Sequence, residues 1–376
     1  MDPIAHTFAG MALAAAGLRR ATPLAATALF MGVNAPDVDV FSGFFADYES
    51  LAFRRGWTHG ILALALWPFV LTGVLLAWDR YVRLRRKPGA APARAGPLLA
   101  LTAIAVVSHP TLDWLNNYGL RWLMPFDGRW FYGDALFVID PWFWLLVGGA
   151  AFLTFSKSRL ARVRWGVFFA LATVLIVLSS TLALSNAADV VPAPAAIAWV
   201  AGVAALVAAR WRLRVAPPVV LERAAQAGLA LAAVYVVAML AVSAAARNEV
   251  RAAAAAQGIV AADVMVGPPP ANPFRGDVVV MTPDEYYVGS FHWFRTPRVS
   301  FGERVPRPRG RVYEAAAQDP AARRFLKWAR YPAIDVEAAP GGGTLVRFTD
   351  VRYRAADRLS GPVVELPASA ARSGGD

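Results

Sequence analysis

Residues 60–78, GILALALWPFVLTGVLLAW, form an uncharged apolar run of the length a helix needs to cross a bilayer. A hydrocarbon layer about 30 Å thick takes roughly 20 residues at about 1.5 Å each. A helix that is apolar on every side is buried in protein or in lipid. Outward from this stretch, similar runs occupy residues 97–115, 141–155, 165–185, 193–209 and 224–246, the run at 141–155 being short for a full span. The whole chain agrees: 376 residues are 57% hydrophobic and 17% charged, with a mean hydropathy of +0.43, too apolar for an ordinary water-soluble protein. The expected fold is mainly α, a polytopic transmembrane helical bundle over residues 1–246. From residue 247 the chain becomes charged and proline-rich, with short β-type runs (VVVMT, EYYVGSF, TLVRF) that predict a smaller, water-facing α+β domain over residues 247–376.

Basic residues concentrate in alternate loops. Arg80, Arg83, Arg85, Arg86, Lys87 and Arg94 follow the first run, Lys157, Arg159, Arg162 and Arg164 the third, and Arg210, Arg212, Arg214 and Arg223 the fifth. Short cytoplasmic loops are enriched in this way. The other segments, 34–59, 118–140 and 186–192, hold Asp37, Asp39, Asp47, Glu49, Asp127, Asp134, Asp140 and Asp189. They are expected on the periplasmic side of a bacterial inner membrane, joined there by the tail after 246 provided that 141–155 crosses. The net charge of +12 therefore orients the chain and does not mark a nucleic-acid binder. The first residues lack the basic start of a secretory signal, and Arg19 and Arg20 interrupt the apolar stretch behind them, so this segment is expected to remain in the mature protein.

The chain has no cysteine, so any metal must take nitrogen and oxygen ligands. Three of its four histidines lie in the N-terminal third: His6 in DPIAHTFAG, His59 at the end of RRGWTH, and His109 four residues before Asp113 in SHPTLDW. NAPDVDVF adds Asp37 and Asp39. Imidazole and carboxylate are the usual ligands of Zn, Mn, Fe and Ni, and the spacing of His109 and Asp113 places both on one helix face. A lone histidine near a helix end is more often hydrogen-bonded than metal-bound. The argument rests on the set, and on the cost of ionisable groups at membrane depth. Six candidates suffice for one or two divalent ions, Zn first, with Mn or Fe as alternatives. His6 can reach the others only if residues 4–33 fold as a hairpin of two short helices with Arg19 and Arg20 near its tip.

Arg54 and Arg55 stand on the acidic side against the usual charge bias and are candidates for phosphate, developing negative charge or lipid headgroups. Asp134 and Asp140 in FYGDALFVIDPWFWLL fit an aromatic interfacial belt with a helix-starting Asp-Pro pair as well as they fit an active site. His292 in DEYYVGSFHWF is explained by an alternating strand, and RRFLKWARYP reads as an amphipathic basic helix. No nucleotide-binding or serine-esterase glycine motif is present.

The ordered set of an N-terminal His, PD-x-D, R-G-x-T-H, S-H-x-x-x-D, then G-D and D-P-W, resembles the LexA-binding, inner-membrane-associated, metal-dependent hydrolase family (YdjM-like). It covers about residues 1–150 through His6, Asp37, Asp39, His59, His109 and Asp113, followed by Asp134 and Asp140. One departure is Val40, where many members carry a His. The resemblance implies an inner-membrane location, a metal requirement, and phosphoester or phospholipid-like substrates, because the pattern is distantly similar to zinc-dependent phospholipases C. The expected chemistry is hydrolysis of an ester in a membrane-associated, lipid-like substrate by a metal-activated water, with Asp39, His59 and Arg55 as the acting residues. Membrane lipids are the expected partners, not nucleic acid, and no protein partner is indicated. Two other readings remain: a non-catalytic membrane binding or regulatory protein with a structural metal site, and a cation transporter. The transporter is weakened by the lack of polar residues through the later spans.

Overall fold

The computed structural model describes residues 1–44, 48–181, 191–340, 342–356 and 361–367; Asp47 and Asp189 of the acidic loops lie outside them. Asp2 caps the first helix by accepting from the backbone N–H groups of Ile4 and Ala5, and Pro3 opens its first turn, so α1 spans Pro3–Ala15. The chain reverses at Gly17, whose φ of 117° suits glycine, passes through Leu18–Arg20, and returns as α2, Ala25–Gly32. This is the expected hairpin, with Arg19 and Arg20 in its turn.

Five helices among the described residues are long and apolar enough to cross a membrane: α4 Ile61–Arg86, α5 Ala95–Trp114, α7 Arg159–Thr181, α8 Ala193–Val215 and α9 Pro218–Ala256. Within their apolar stretches only 11% to 39% of the residues are buried. Phe69, Leu171, Val234 and Val237 face outward, each about two-thirds exposed. A contiguous apolar exterior on this scale calls for lipid.

The sixth run differs from the other five. Pro141–Phe155, here α6, falls short of the length of a span, yet it passes through the depth of the bundle. Asp140 at its start meets Tyr235 of α9, and Ser156 just past its end accepts from Arg210 at the far end of α8. Gly149–Thr154 are all buried, mostly against α1, α8 and α9. A helix covered by other helices is not held to the thickness of hydrocarbon.

The bundle has two chemically distinct ends. Gly17–Ala21, the Asp79–Arg94 turn, Ser156 and Arg210–Glu222 meet at one: Arg20 pairs with Glu222, and Arg94 binds the Ala21 carbonyl. Asp2, the 3₁₀ segment Ala35–Phe44, the short helix α3 (Glu49–Phe53), and residues 54–60 and 113–140 gather at the other.

α9 has 39 residues, about 58 Å of helix, and so outruns the membrane. The expected boundary at 246 is therefore no break. The helix continues to Ala256, with Ala246, Val250 and Ala254 under the first sheet while Arg247, Glu249 and Arg251 stay off that buried stripe. That sheet is an antiparallel meander, β1 (Asp263–Gly267) through β4 (Val299–Pro306). His292 ends β3 (Glu285–His292) opposite Arg275. A second sheet follows, β5 (Pro332–Ala338), β6 (Thr344–Asp350) and β7 (Val363–Leu366). Between the sheets lie α10 (Arg311–Ala316) and α11 (Pro320–Trp328). α11 is amphipathic as expected and buries Ala322, Phe325 and Trp328.

The C-terminal domain is fastened to the acidic end of the bundle. Arg330 grips both oxygens of Asp134 at 2.9 and 3.1 Å and also reaches Asp263. Arg352 donates to the Asn117 carbonyl, and the Trp130 indole to the Lys327 carbonyl.

Candidate metal centre

Four segments converge beneath that domain. α5 carries His109 and Asp113 one turn apart on its buried face. The turn after α2 brings Asp37, the loop before α4 brings His59, and α1 brings His6. His59, His109 and Asp113 are fully buried, and the Asp37 side chain is 20% exposed.

The ring nitrogens facing away from the centre decide its chemistry. His109 Nδ1 lies 2.7 Å from the Val33 carbonyl, which can only accept, so Nδ1 carries the proton. His59 Nδ1 lies 2.9 Å from the Thr58 hydroxyl and 3.3 Å from Asp39 Oδ2. Because Thr58 itself donates to Asp39, its oxygen is left to accept from His59. Both rings thus turn an Nε2 lone pair inward, and these two atoms are 3.1 Å apart. Asp113 Oδ2, buried and without a hydrogen-bond donor, lies 3.3 Å from one and 3.5 Å from the other. Asp37 Oδ1 completes the group at 3.9 and 3.6 Å.

Four electron-rich atoms lie within 4.8 Å of one another. As neutral rings the two imidazoles bring no proton to share between them, and a cation resolves the repulsion. Ligand bonds of about 2.0–2.2 Å around a tetrahedral ion separate neighbouring ligand atoms by roughly 3.3–3.6 Å. The donor set fits a divalent metal.

The other expected ligands stand one layer back. His6 stacks on His109 with ring centres 3.8 Å apart and points Nε2 at the other Asp113 oxygen, 3.2 Å away; its Nδ1 is buried without a partner. Asp39 receives the Arg55 backbone N–H at 2.8 Å and Thr58 at 3.0 Å, so its carboxylate holds His59 from behind. Arg55 is also buried. Its guanidinium pairs with Asp113 Oδ1 at 3.0 Å, donates to Asn116 Oδ1 at 3.0 Å, and lies over the Tyr118 ring. The Met1 amino group pairs with the same Asp113 oxygen.

Asp134 and Asp140 are not part of the quartet. Asp134 is raised by burial and countered by Arg330, which ties it to the C-terminal domain. Asp140 caps α6 through the Phe143 N–H and accepts from Tyr235, so the helix-starting reading of Asp-Pro describes it; burial pushes it up to about 6. Sequence reading passed over Thr58, Asn116 and the Val33 carbonyl. A hydroxyl directly before His59, and an Asn three residues past Asp113, were the available signals for the first two. A backbone carbonyl leaves none.

Residues 1–185 match the YdjM inner membrane protein family. An uncharacterized protein of Bacillus subtilis (strain 168), YfhP, is 24% identical over 155 residues, which cover 39% of this chain and 43% of that protein. The chain thus aligns with less than half the length of that curated relative. No solved structure matches it. The five crossing helices make the protein a multi-pass one, and each side chain of the quartet falls inside the matched span. The N-terminal part of this chain, residues 1–185, is accordingly similar to the YdjM inner membrane protein family.

Proposed function

We propose that the protein is a membrane-bound, metal-dependent hydrolase acting on a phosphoester or other ester of a membrane-associated, lipid-like substrate. The observation that carries this reading is the meeting of two imidazole lone pairs and an undonated carboxylate oxygen in a buried site. Asp37, His59, His109 and Asp113 would hold one divalent ion, Zn by donor type, with Mn or Fe as alternatives. When bound, such an ion supplies Lewis acidity and a water acidified toward neutral pH. The chain's own residues do the rest. Asp39 and Thr58 fix the His59 tautomer, the Val33 carbonyl fixes that of His109, and Arg55 balances the charge of Asp113. Asp37, the most exposed of the four, borders the side from which a substrate arrives.

The basic loops gather at the opposite end of the bundle, which supports a periplasmic site beneath a periplasmic C-terminal domain. Element-resolved metal analysis of purified protein, followed by phosphodiesterase and lipase assays on lipid substrates, tests the function. Stoichiometric metal with turnover that is lost in Asp37→Ala is expected. One observation favours a second reading: four protein ligands, three of them fully buried, is the closed pattern of a structural site. Stoichiometric metal without turnover on any lipid ester decides for that reading.

A further inference from the structure

A cavity of about 620 Å³ opens beside the metal centre, between the Ala35–Phe44 segment, α3 and α11. Its walls are mostly apolar, from Val38, Phe41 and Phe53, and its polar groups include Asp39, Glu49 and Arg324. Arg324 belongs to the C-terminal domain, so the cavity is shared between the two parts of the chain. Phe41 on its wall, and Phe44 and Trp57 beyond it, are 60%, 84% and 53% exposed near the start of α4. Side chains of this kind sit among lipids at a membrane interface.

The charged side chains lining this space are Asp39, Glu49 and Arg324. Arg324 Nε pairs with Glu49 at 2.6 Å across the mouth. Deeper, Asp39 Oδ1 is buried without a hydrogen bond, and the nearest cation, Arg54 Nε, stands 3.7 Å away, itself unbonded. An anionic headgroup finds no spare cation here.

We propose that this cavity binds a lipid whose headgroup is zwitterionic, an ammonium joined to a phosphodiester. The ammonium faces the carboxylates of Glu49 and Asp39, the phosphate faces Arg324, and the acyl chain leaves along Val38, Phe41 and Phe53. This deepens the hydrolase reading by naming the substrate class, and it rests on that reading for the statement that the bound lipid is substrate. Its own evidence is binding.

The test is lipid retention by the full-length protein, read by native mass spectrometry after exchange into vesicles of equal parts ethanolamine and glycerol phospholipid with matched chains. Wild-type protein is expected to retain the zwitterionic lipid over the anionic one. Glu49→Gln leaves Arg324 unpaired and is expected to shift the ratio toward the anionic lipid by roughly five- to tenfold, the effect of one nearby charge at intermediate dielectric. Arg324→Gln is expected to shift it the other way, and the double variant to restore the wild-type ratio. Metal content, measured in parallel, certifies that each variant is folded. Equal retention of both lipids by the wild type, or shifts of the same sign in the two single variants, overturns the proposal. Neither result bears on whether the metal centre hydrolyses esters.

Discussion

Asp39→Asn separates a ligand from a residue that positions one. Asp39 Oδ2 accepts from two donors, the Arg55 backbone N–H at 2.8 Å and the Thr58 hydroxyl at 3.0 Å, and lies 3.3 Å from His59 Nδ1. Asparagine keeps one acceptor oxygen for the backbone N–H and Thr58, so the loop should hold its shape. What is lost is the negative charge that makes His59 a stronger donor through Nε2. Removal of a carboxylate behind a metal-bound histidine weakens metal binding about 10- to 100-fold, or about 1.4–2.7 kcal/mol. Loss of a direct ligand such as Asp37 or His59 should cost considerably more. Competition against a chromophoric chelator in detergent, run on wild type, Asp39→Asn, Asp37→Asn and His59→Ala, gives the comparison. Asp39→Asn binding as poorly as His59→Ala would make Asp39 a ligand; unchanged affinity would show that its carboxylate does nothing for His59. Either result refutes the reasoning.

Asp140 links stability to pH. Its carboxyl is raised from 3.8 to about 6 in the folded protein, so ionisation favours the unfolded state and stability falls as pH climbs from about 4 to about 6, by about 3 kcal/mol in all, then stays level. Asp140→Asn keeps the helix cap and the Tyr235 contact, and thermal unfolding from pH 4 to 8 should show its advantage over wild type growing across that window; parallel curves sink the assignment. The Asp134–Arg330 pair is buried on both sides. Asp134→Ala leaves Arg330 with Asp263 as its remaining carboxylate partner and should cost about 1.5–3 kcal/mol, the worth of a hydrogen bond to a charged group; chemical denaturation that finds no loss contradicts a stabilising pair. At Gly32 an added Cβ would stand 2.5 Å from the Ala105 Cβ. Gly32→Val should therefore wedge α2 from α5, cost about 1–3 kcal/mol, and lower metal affinity by moving the Val33 carbonyl off His109. Gly73, with open space around it, is the control: Gly73→Ala should be neutral or slightly stabilising.

The spans of α4, α5, α7, α8 and α9 were legible in the sequence because lipid constrains composition directly. A helix without covering neighbours must be apolar for its whole length, as residues 60–78 are. The hairpin of α1 and α2 was legible for a similar reason, since two arginines stop a run from spanning and His6 has to meet its partners. The identities of the site residues could be read because imidazole and carboxylate in a cysteine-free apolar chain have few other uses. Their ranks could not. Asp37 and Asp39 are two residues apart with the same side chain, and only the 3₁₀ turn and the donors from Arg55 and Thr58 turn one toward the imidazole Nε2 atoms and the other behind His59. The function of Asp134 depended on Arg330, 196 positions away, and α6 was settled by the helices covering it. Composition shows what a segment can be dissolved in, because solvation is a sum over its own residues. Which atoms face each other is a matter of directions in space, and only the packed chain sets those.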